Sequence, residues 1–340
     1  MARTLGATQM KAIVYENPGP PDVLKYTELP DPSPGSGEVL VRVSAVSVNP
    51  IDTYIRSGAV AMPRPQPTIP GCDLAGRVEA VGPDVKRFRV GDRVWGSNQG
   101  LLGRQGTFAE LACVHEDWLY PTPEGVSDEA AAASALVGIT AHLGLFRCAQ
   151  LKAGEFVFVN GGTGGVGSMV VQMAAAIGAI PVTTVGSAEK AELARQLGAA
   201  HVIQYKSEDV VERIKAITNG QGVHVWYETL REPDFIRTVD LLAFRGRMIV
   251  MAGRQAQPIF PVGPFYTKDL TLYGFAMFRA TPDEQRRCAE DINRWLSSGQ
   301  LRPVIGMTLP LKEAAQAHRL QEENTIGKAG TLTGKIVLKP

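Results

Sequence analysis

Cysteine is scarce in this chain, and so is any excess of charge. Only four cysteines occur in 340 residues, Cys72, Cys113, Cys148 and Cys288, and no two of them form a CxxC pair. That excludes a disulfide framework and a closely spaced zinc knuckle, so the thiols read as reduced and cytosolic. Lysine plus arginine total 35 against 34 acidic residues, a formal net charge of +1. Such a balance gives no electrostatic footprint for nucleic acid or for an anionic membrane. No stretch reads as apolar and long enough to span a bilayer, and the opening MARTLGATQ lacks the apolar core of a secretory signal. Those first residues read as a frayed extension ahead of a strand at 11–15. Internal repeats and low-complexity tracts are also missing. The remaining expectation is a cytoplasmic globular protein, 44% hydrophobic and long enough for about two domains.

The pattern changes once along the chain. The first third is rich in proline, glycine and β-branched residues, and the run EVLVRVSAVSV at Glu38–Val48 alternates as a strand does. Short strands are expected at 76–81 and 92–95, set off by turns at Gly82-Pro83 and Gly91-Asp92. A helix is expected at 127–135. From residue 155 strands and helices alternate: strands at 155–160, Ile180–Val185, 201–203, Val223–Glu228, 247–251 and 270–274, with helices at 167–177, 188–197 and 207–218. That alternation implies a parallel sheet covered by helices on both faces. A helix at 282–297 and a closing strand at 334–338 complete the chain.

Gly162-Thr163-Gly164-Gly165-Val166-Gly167 fits G-x-G-x-x-G. Alone the pattern is weak. Here it follows the apolar EFVFVN and precedes SMVVQMAAAIGA, the strand-to-helix context that a dinucleotide needs. Glycines let the backbone approach a pyrophosphate, and the helix amides and dipole receive its charge. The end of the next strand chooses between NAD and NADP. An NAD site places a carboxylate there, about twenty residues past the first glycine, to hold the ribose 2′-OH. This chain reads Thr184-Val185-Gly186-Ser187-Ala188-Glu189-Lys190. No carboxylate ends the strand, Ser187 can donate to a phosphate, and Lys190 can neutralise one. The competing reading is that Lys190 is a solvated helix residue offset by Glu189. The balance favours NADPH.

From about residue 10 onward, these features resemble those of the medium-chain dehydrogenase/reductase superfamily. Within it the chain is similar to the zinc-free quinone oxidoreductases of the ζ-crystallin type. The segments VNPIDTYIRSG (48–58), GCDLAGRVEAVG (71–82), the glycine loop and RPVI (302–305) carry the likeness. The resemblance implies an α/β chain of two parts. One is a GroES-like β-rich catalytic domain at 10–130, completed by about 280–340. The other is a Rossmann domain at 131–279, with the cofactor in the cleft between them. Zinc-dependent relatives carry a cysteine just after the strand that ends here at Val48, then Gly-His-Glu and a later cysteine. This chain has Asn49-Pro50 and Gly71-Cys72-Asp73 there, and only Cys113 in the lobe where relatives bind structural zinc. A tetrahedral zinc site cannot be assembled from that set, so the expectation is no metal.

By the same resemblance, Asn49 and Tyr54 line the nicotinamide end. Both side chains can donate to a developing oxyanion without carrying charge, and Tyr54 would also touch the cofactor. The alternatives are that Asn49 caps the turn before Pro50 and that Tyr54 only packs. Asp52 and Arg56 read as a structural ion pair, and Cys72 as a small buried thiol or a modifiable one. Thr163, Gly164, Gly165 and Val166 would hold the pyrophosphate. Gly186, Ser187, Lys190 and Tyr205 would surround the 2′-phosphate. Met251, Ala252, Gly253 and Arg254, with Phe275, Ala276 and Met277, would bracket the nicotinamide half, largely through backbone groups. Thr140 and Lys335 are further cofactor candidates, and Phe275 and Phe278 read equally well as core. The implied activity is metal-free hydride transfer from NADPH to a quinone or another electron-poor acceptor. Reduction of enals, enones or enoyl thioesters on the same fold is the rival enzyme reading. A crystallin-like or RNA-binding role is the non-enzymatic one. The resemblance also implies a homodimer, or a dimer-based tetramer, built on sheet edges near 248–252 and 270–276.

Overall fold

The computed structural model describes residues 8–340. The frayed extension expected at the start lies almost wholly outside the described residues. The chain divides into two compact units. The first runs to Leu136 and takes back Gln285–Asn293 and Ile305–Pro340; the second comprises Val137–Glu284 and Arg294–Val304. The division falls inside a helix, Asp128–His142.

The first unit is built on the strand Glu38–Val48. Val39, Val41 and Val43 are buried in step with the alternation, and after a register irregularity between Val43 and Ala45 the core positions become Val46 and Val48. It pairs antiparallel with Leu74–Val81, Leu111–His115 and Lys335–Lys339. Three neighbouring strands therefore brace the strand that ends at Val48, where the helix Pro50–Ser57 begins. Pro50 is tolerated in that first helical turn because its missing N–H would have no intrahelical partner anyway. Gly58, at φ 84°, closes the helix in the left-handed region that a residue with Cβ resists. A second helix, Ala314–Thr325, packs against it. Sequence periodicity did not indicate this element, nor the strand Ile305–Pro310.

The second unit holds a six-stranded all-parallel sheet. Its order is His201–Gln204, Ile180–Val185, Phe156–Val159, Val223–Glu228, Leu242–Val250 and Thr271–Gly274. Numbered along the chain that is 3-2-1-4-5-6, the doubly wound arrangement whose switch point lies beside the first strand. Strands buried on both faces read as apolar runs, and Phe158, Val182, Trp226 and Met248 meet in one core.

The helix from Asp128 runs on to Cys148, its last turn widened into a π-helix over Leu143–Cys148. The cause is local. Gly144 has no side chain, and a Cβ there would lie 2.4 Å from the Tyr227 ring. The Tyr227 hydroxyl enters and donates to the Thr140 carbonyl at 2.7 Å, taking an acceptor that a regular α-turn would use. This helix corrects one sequence expectation, since by length and composition it could cross a membrane; most of it is buried within the fold, as a core helix is.

Candidate functional site

The sequence-predicted residues fall into two groups, one in each unit. In the first unit the strand-to-helix corner at Val48-Asn49 sits over a sealed polar cluster. Asn49, Asp52, Cys72, Asp73 and Lys335 are all buried. Asn49 Nδ2 donates to Asp73 Oδ2 at 2.7 Å, while its Oδ1 accepts from Lys335 Nζ. Lys335 Nζ also donates to the Val48 carbonyl at 2.6 Å. Asp73 further accepts from the hydroxyls of Ser47 and Ser97, each at 2.7 Å, and from the Leu136 amide at 3.1 Å. Asp52 accepts from the Asn49 amide at 2.8 Å and from the Cys72 thiol at 3.0 Å.

The cluster changes several assignments. The Asn49 amide, expected to donate to an oxyanion, has no exposed surface and spends its best donor on Asp73. Lys335, a cofactor candidate, is consumed by Val48 and Asn49. Asp52 and Arg56 do not pair with each other. Arg56 is enclosed and forms its ion pair with Glu322, which lies 266 residues away along the chain. Tyr54, on the same helix, is half-buried and keeps part of its surface.

Burial dominates the electrostatics here, because charge is expensive away from water. It pushes the Asp52 carboxyl up to about 7 and raises Asp73 as well. It lowers Lys335 against the pull of both carboxylates. It drives the Cys72 thiol well above the ordinary range, and the neighbouring Asp52 and Asp73 add to that. A thiol that cannot ionise is not a nucleophile, which favours the inert reading of Cys72. Cys148 is half-exposed, whereas Cys72 has no exposed surface. Brief treatment of native protein with iodoacetamide is therefore expected to modify Cys148 and spare Cys72 until denaturant is added. Peptide mass mapping reads this, and early labelling of Cys72 would overturn it.

In the second unit the glycine loop joins Phe156–Val159 to the helix Gly165–Ala176. Gly164 is the N-cap and supplies no side-chain cap, so the first helical amides point outward without one. Gly161 has φ 67°, and a Cβ there would meet nothing within 4 Å. A Cβ on Gly167 would lie 2.3 Å from the Gly161 carbonyl oxygen, and one on Gly162 would lie 2.4 Å from Thr183 Oγ1. The turn is thus as tight as the glycine pattern implied. Residues missed at the sequence level brace it. The Gly161 amide donates to the Thr184 hydroxyl at 3.2 Å, which donates on to Asn160 Oδ1 at 3.2 Å. Across the switch point the Thr229 hydroxyl donates to the Asn160 carbonyl at 3.1 Å. Beside it the buried Glu228 accepts from Trp226 and from the Leu230 amide.

The four residues expected around a 2′-phosphate are gathered. Ser187 caps the helix Ala188–Gln196 by accepting from the Lys190 amide. The Tyr205 hydroxyl leans over Gly186, where a Cβ would come within 2.6 Å of it. Lys206, not singled out from the sequence, lies near enough to Lys190 to lower its pKa, second to partial burial. Thr163 and Thr140 are buried. Met251, Ala252, Gly253 and Arg254 form the loop after Leu242–Val250, with Gly253 at φ 84°. The Phe275 amide donates to the Val250 carbonyl at 3.3 Å, and the Arg147 guanidinium lies 5.5 Å from the Phe275 ring centre. Ala276 N-caps a short 3₁₀ turn that begins at the buried Met277. Phe278 is half-buried. Among the described residues no three His, Cys, Asp or Glu side chains gather as metal ligands.

Comparison with known proteins agrees with this geometry. The family model described as alcohol dehydrogenase GroES-like domain matches residues 35–124, and that described as zinc-binding dehydrogenase matches residues 165–295. A curated quinone oxidoreductase from Sus scrofa is 36% identical over 334 residues, covering 98% of each chain. The solved Escherichia coli quinone oxidoreductase, crystallised with NADPH, superposes with a TM-score of 0.84 at 31% identity, covering 97% of this chain and 100% of that one. A solved NAD-dependent alcohol dehydrogenase superposes with a TM-score of 0.87 at 30% identity, with the same coverage.

Proposed function

Because the chain belongs to the quinone oxidoreductases of the medium-chain dehydrogenase/reductase superfamily, we propose that it is an NADPH-dependent oxidoreductase that reduces a quinone or similarly electron-poor acceptor without a metal. The observation that carries the cofactor choice is the edge beyond Ile180–Val185. There Ser187, Lys190, Tyr205 and Lys206 gather where an NAD enzyme keeps a carboxylate. NADPH, when bound, supplies a hydride from its nicotinamide ring. The amides that open Gly165–Ala176 receive the pyrophosphate, and the lysines neutralise the 2′-phosphate. Tyr54, whose side chain retains surface, is the donor assigned to the developing oxyanion. Metal-free chemistry is supported by the donor set: Asn49, Cys72 and Asp73, in the segments where the zinc-dependent relatives carry their cysteine and Gly-His-Glu motifs, are committed to hydrogen bonds within the buried cluster. Without a Lewis acid the acceptor must already be electrophilic. A panel of quinones, enones and enoyl thioesters with NADPH tests this, with quinones expected to turn over fastest. Stoichiometric zinc in active protein, or enoyl thioesters preferred over quinones, would refute it.

The assembly proposed is a homodimer or a dimer-based tetramer. Thr271–Gly274 is one of the two edge strands of the parallel sheet, opposite His201–Gln204, and Leu272 and Tyr273 on it are 38% and 36% exposed. Pairing that edge would satisfy its open backbone groups. Met248, in contrast, lies on an interior strand and is fully buried, so the edge does not include it. Light scattering at micromolar concentration should give twice the chain's 36.5 kDa or more; a monomer mass would overturn the assignment.

A further inference from the structure

The first unit's buried cluster is built around one peptide bond. The Val48–Asn49 peptide has its carbonyl held by Lys335 at 2.6 Å and its N–H held by Asp52 at 2.8 Å. The side chain of the same residue, Asn49, then spans from the Lys335 ammonium to the Asp73 carboxylate. A carboxamide suits that position because it accepts at one atom and donates at the other. Aspartate there would set a second carboxylate against Asp73, and a shorter or apolar side chain would deprive both buried ions of a bond. Asn49 is the N-cap of Pro50–Ser57, the helix that carries Tyr54 five residues on. Both ends of the peptide that starts this helix are therefore fixed by buried side chains, those of Lys335 and Asp52, with no exposed surface at Asn49.

We propose that Lys335, Asn49 and Asp73 form one positioning unit, in which Asn49 is a neutral bridge between a buried cation and a buried anion, and that this unit sets the direction of the helix bearing Tyr54. None of the three is a catalytic residue in this scheme. Lys335 and Asp73 act through Asn49, and Tyr54 is the group they place. The inference rests on the reading of Tyr54 as the oxyanion donor.

The pairing of charge with position gives a test that stability alone cannot satisfy. Lys335→Met removes the Val48 anchor and leaves Asp73 uncompensated. Turnover with NADPH and a quinone should fall roughly ten- to a hundredfold, the cost of a misplaced donor. The Michaelis constant for NADPH should stay within about twofold, since the groups proposed to hold its phosphates lie in the other unit. Lys335→Arg should recover part of the turnover. The double variant Lys335→Met/Asp73→Asn removes both charges, so its thermal midpoint should return toward wild type while turnover stays low. If the single variant does not accumulate as folded protein, the double variant carries the test. Recovery of both midpoint and turnover in the double variant would overturn the proposal, because the cluster would then serve stability only. Full turnover in Lys335→Met with loss in Tyr54→Phe would overturn it and leave the site reading intact. Full turnover in Tyr54→Phe would instead overturn the site reading itself.

Discussion

Lys190→Ala is expected to raise the Michaelis constant for NADPH roughly ten- to a hundredfold while leaving that for NADH nearly unchanged. The substitution would remove the charge-assisted hydrogen bond proposed between Lys190 and the 2′-phosphate, worth about 1.5–3 kcal/mol when well formed, and each 1.4 kcal/mol is about tenfold in affinity. Lys190 stands in the first turn of Ala188–Gln196, capped by Ser187, with Lys206 close enough to be felt. Two like charges near each other are costly in the free protein, and a dianion beside them removes that cost. The preference should therefore weaken with added salt, as interactions at a partly exposed site do. Lys206→Ala should have a smaller effect, because Lys206 is exposed, and the double variant should approach equal use of both cofactors. The turnover number should move little, since the 2′-phosphate is far from the hydride and is held equally in ground and transition states. Steady-state kinetics with both cofactors measure all of this. An equal loss for NADH and NADPH would remove Lys190 from the phosphate site, though the glycine loop would still serve either dinucleotide.

The second unit was the more legible of the two. Ile180–Val185 is an apolar run between Gly178 and Gly186, and Val223–Glu228 follows Gly222, so both appear where the pattern puts them. The glycine loop and the residues around Gly186 are contiguous in sequence, and local chemistry was enough to read them. The first unit hid its logic because its contacts are remote. Lys335 and Asn49 are 286 residues apart, and Arg56 and Glu322 are 266 apart. No local rule says that a lysine in a closing strand will be buried against an asparagine at the other end of the chain. Ala314–Thr325 was illegible for a different reason. The residues it buries are Ala314, Ala317, His318 and Gln321, small or polar side chains that make no apolar stripe. The helix ending at Cys148 outran its expected length because the Tyr227 hydroxyl, from a strand 87 residues away, stabilises its widened last turn.

His318 gives the other large effect, an acid-dependent loss of stability that a single substitution should remove. The imidazole has no exposed surface, and among the described residues neither ring nitrogen has a hydrogen-bond partner. It meets Phe108 edge-on, with ring centres 5.8 Å apart. Burial, aided by the Arg56 cation, lowers its pKa from 6.5 to about 3. In the unfolded chain the same group takes up a proton near 6.5. Below that pH the unfolded state binds the extra proton and the native state does not, so stability falls as pH falls, down to the native value near 3. At about 1.36 kcal/mol per unit of pH, the loss is roughly 2 kcal/mol at about pH 5. Asp52 works in the opposite sense. Its carboxyl is raised from 3.8 to about 7, so the native state holds a proton that the unfolded state releases, and its cost shrinks as pH falls through that window. The two buried groups offset each other in the wild type, and its own curve hides both. The difference between wild type and His318→Phe isolates one of them. Phenylalanine keeps a flat ring against Phe108 and cannot take a proton. Its unfolding free energy relative to wild type should rise by roughly 2 kcal/mol between about pH 7 and pH 5, read from urea denaturation at each pH. A gap that stays constant across that range would mean that His318 titrates alike in the folded and unfolded chains.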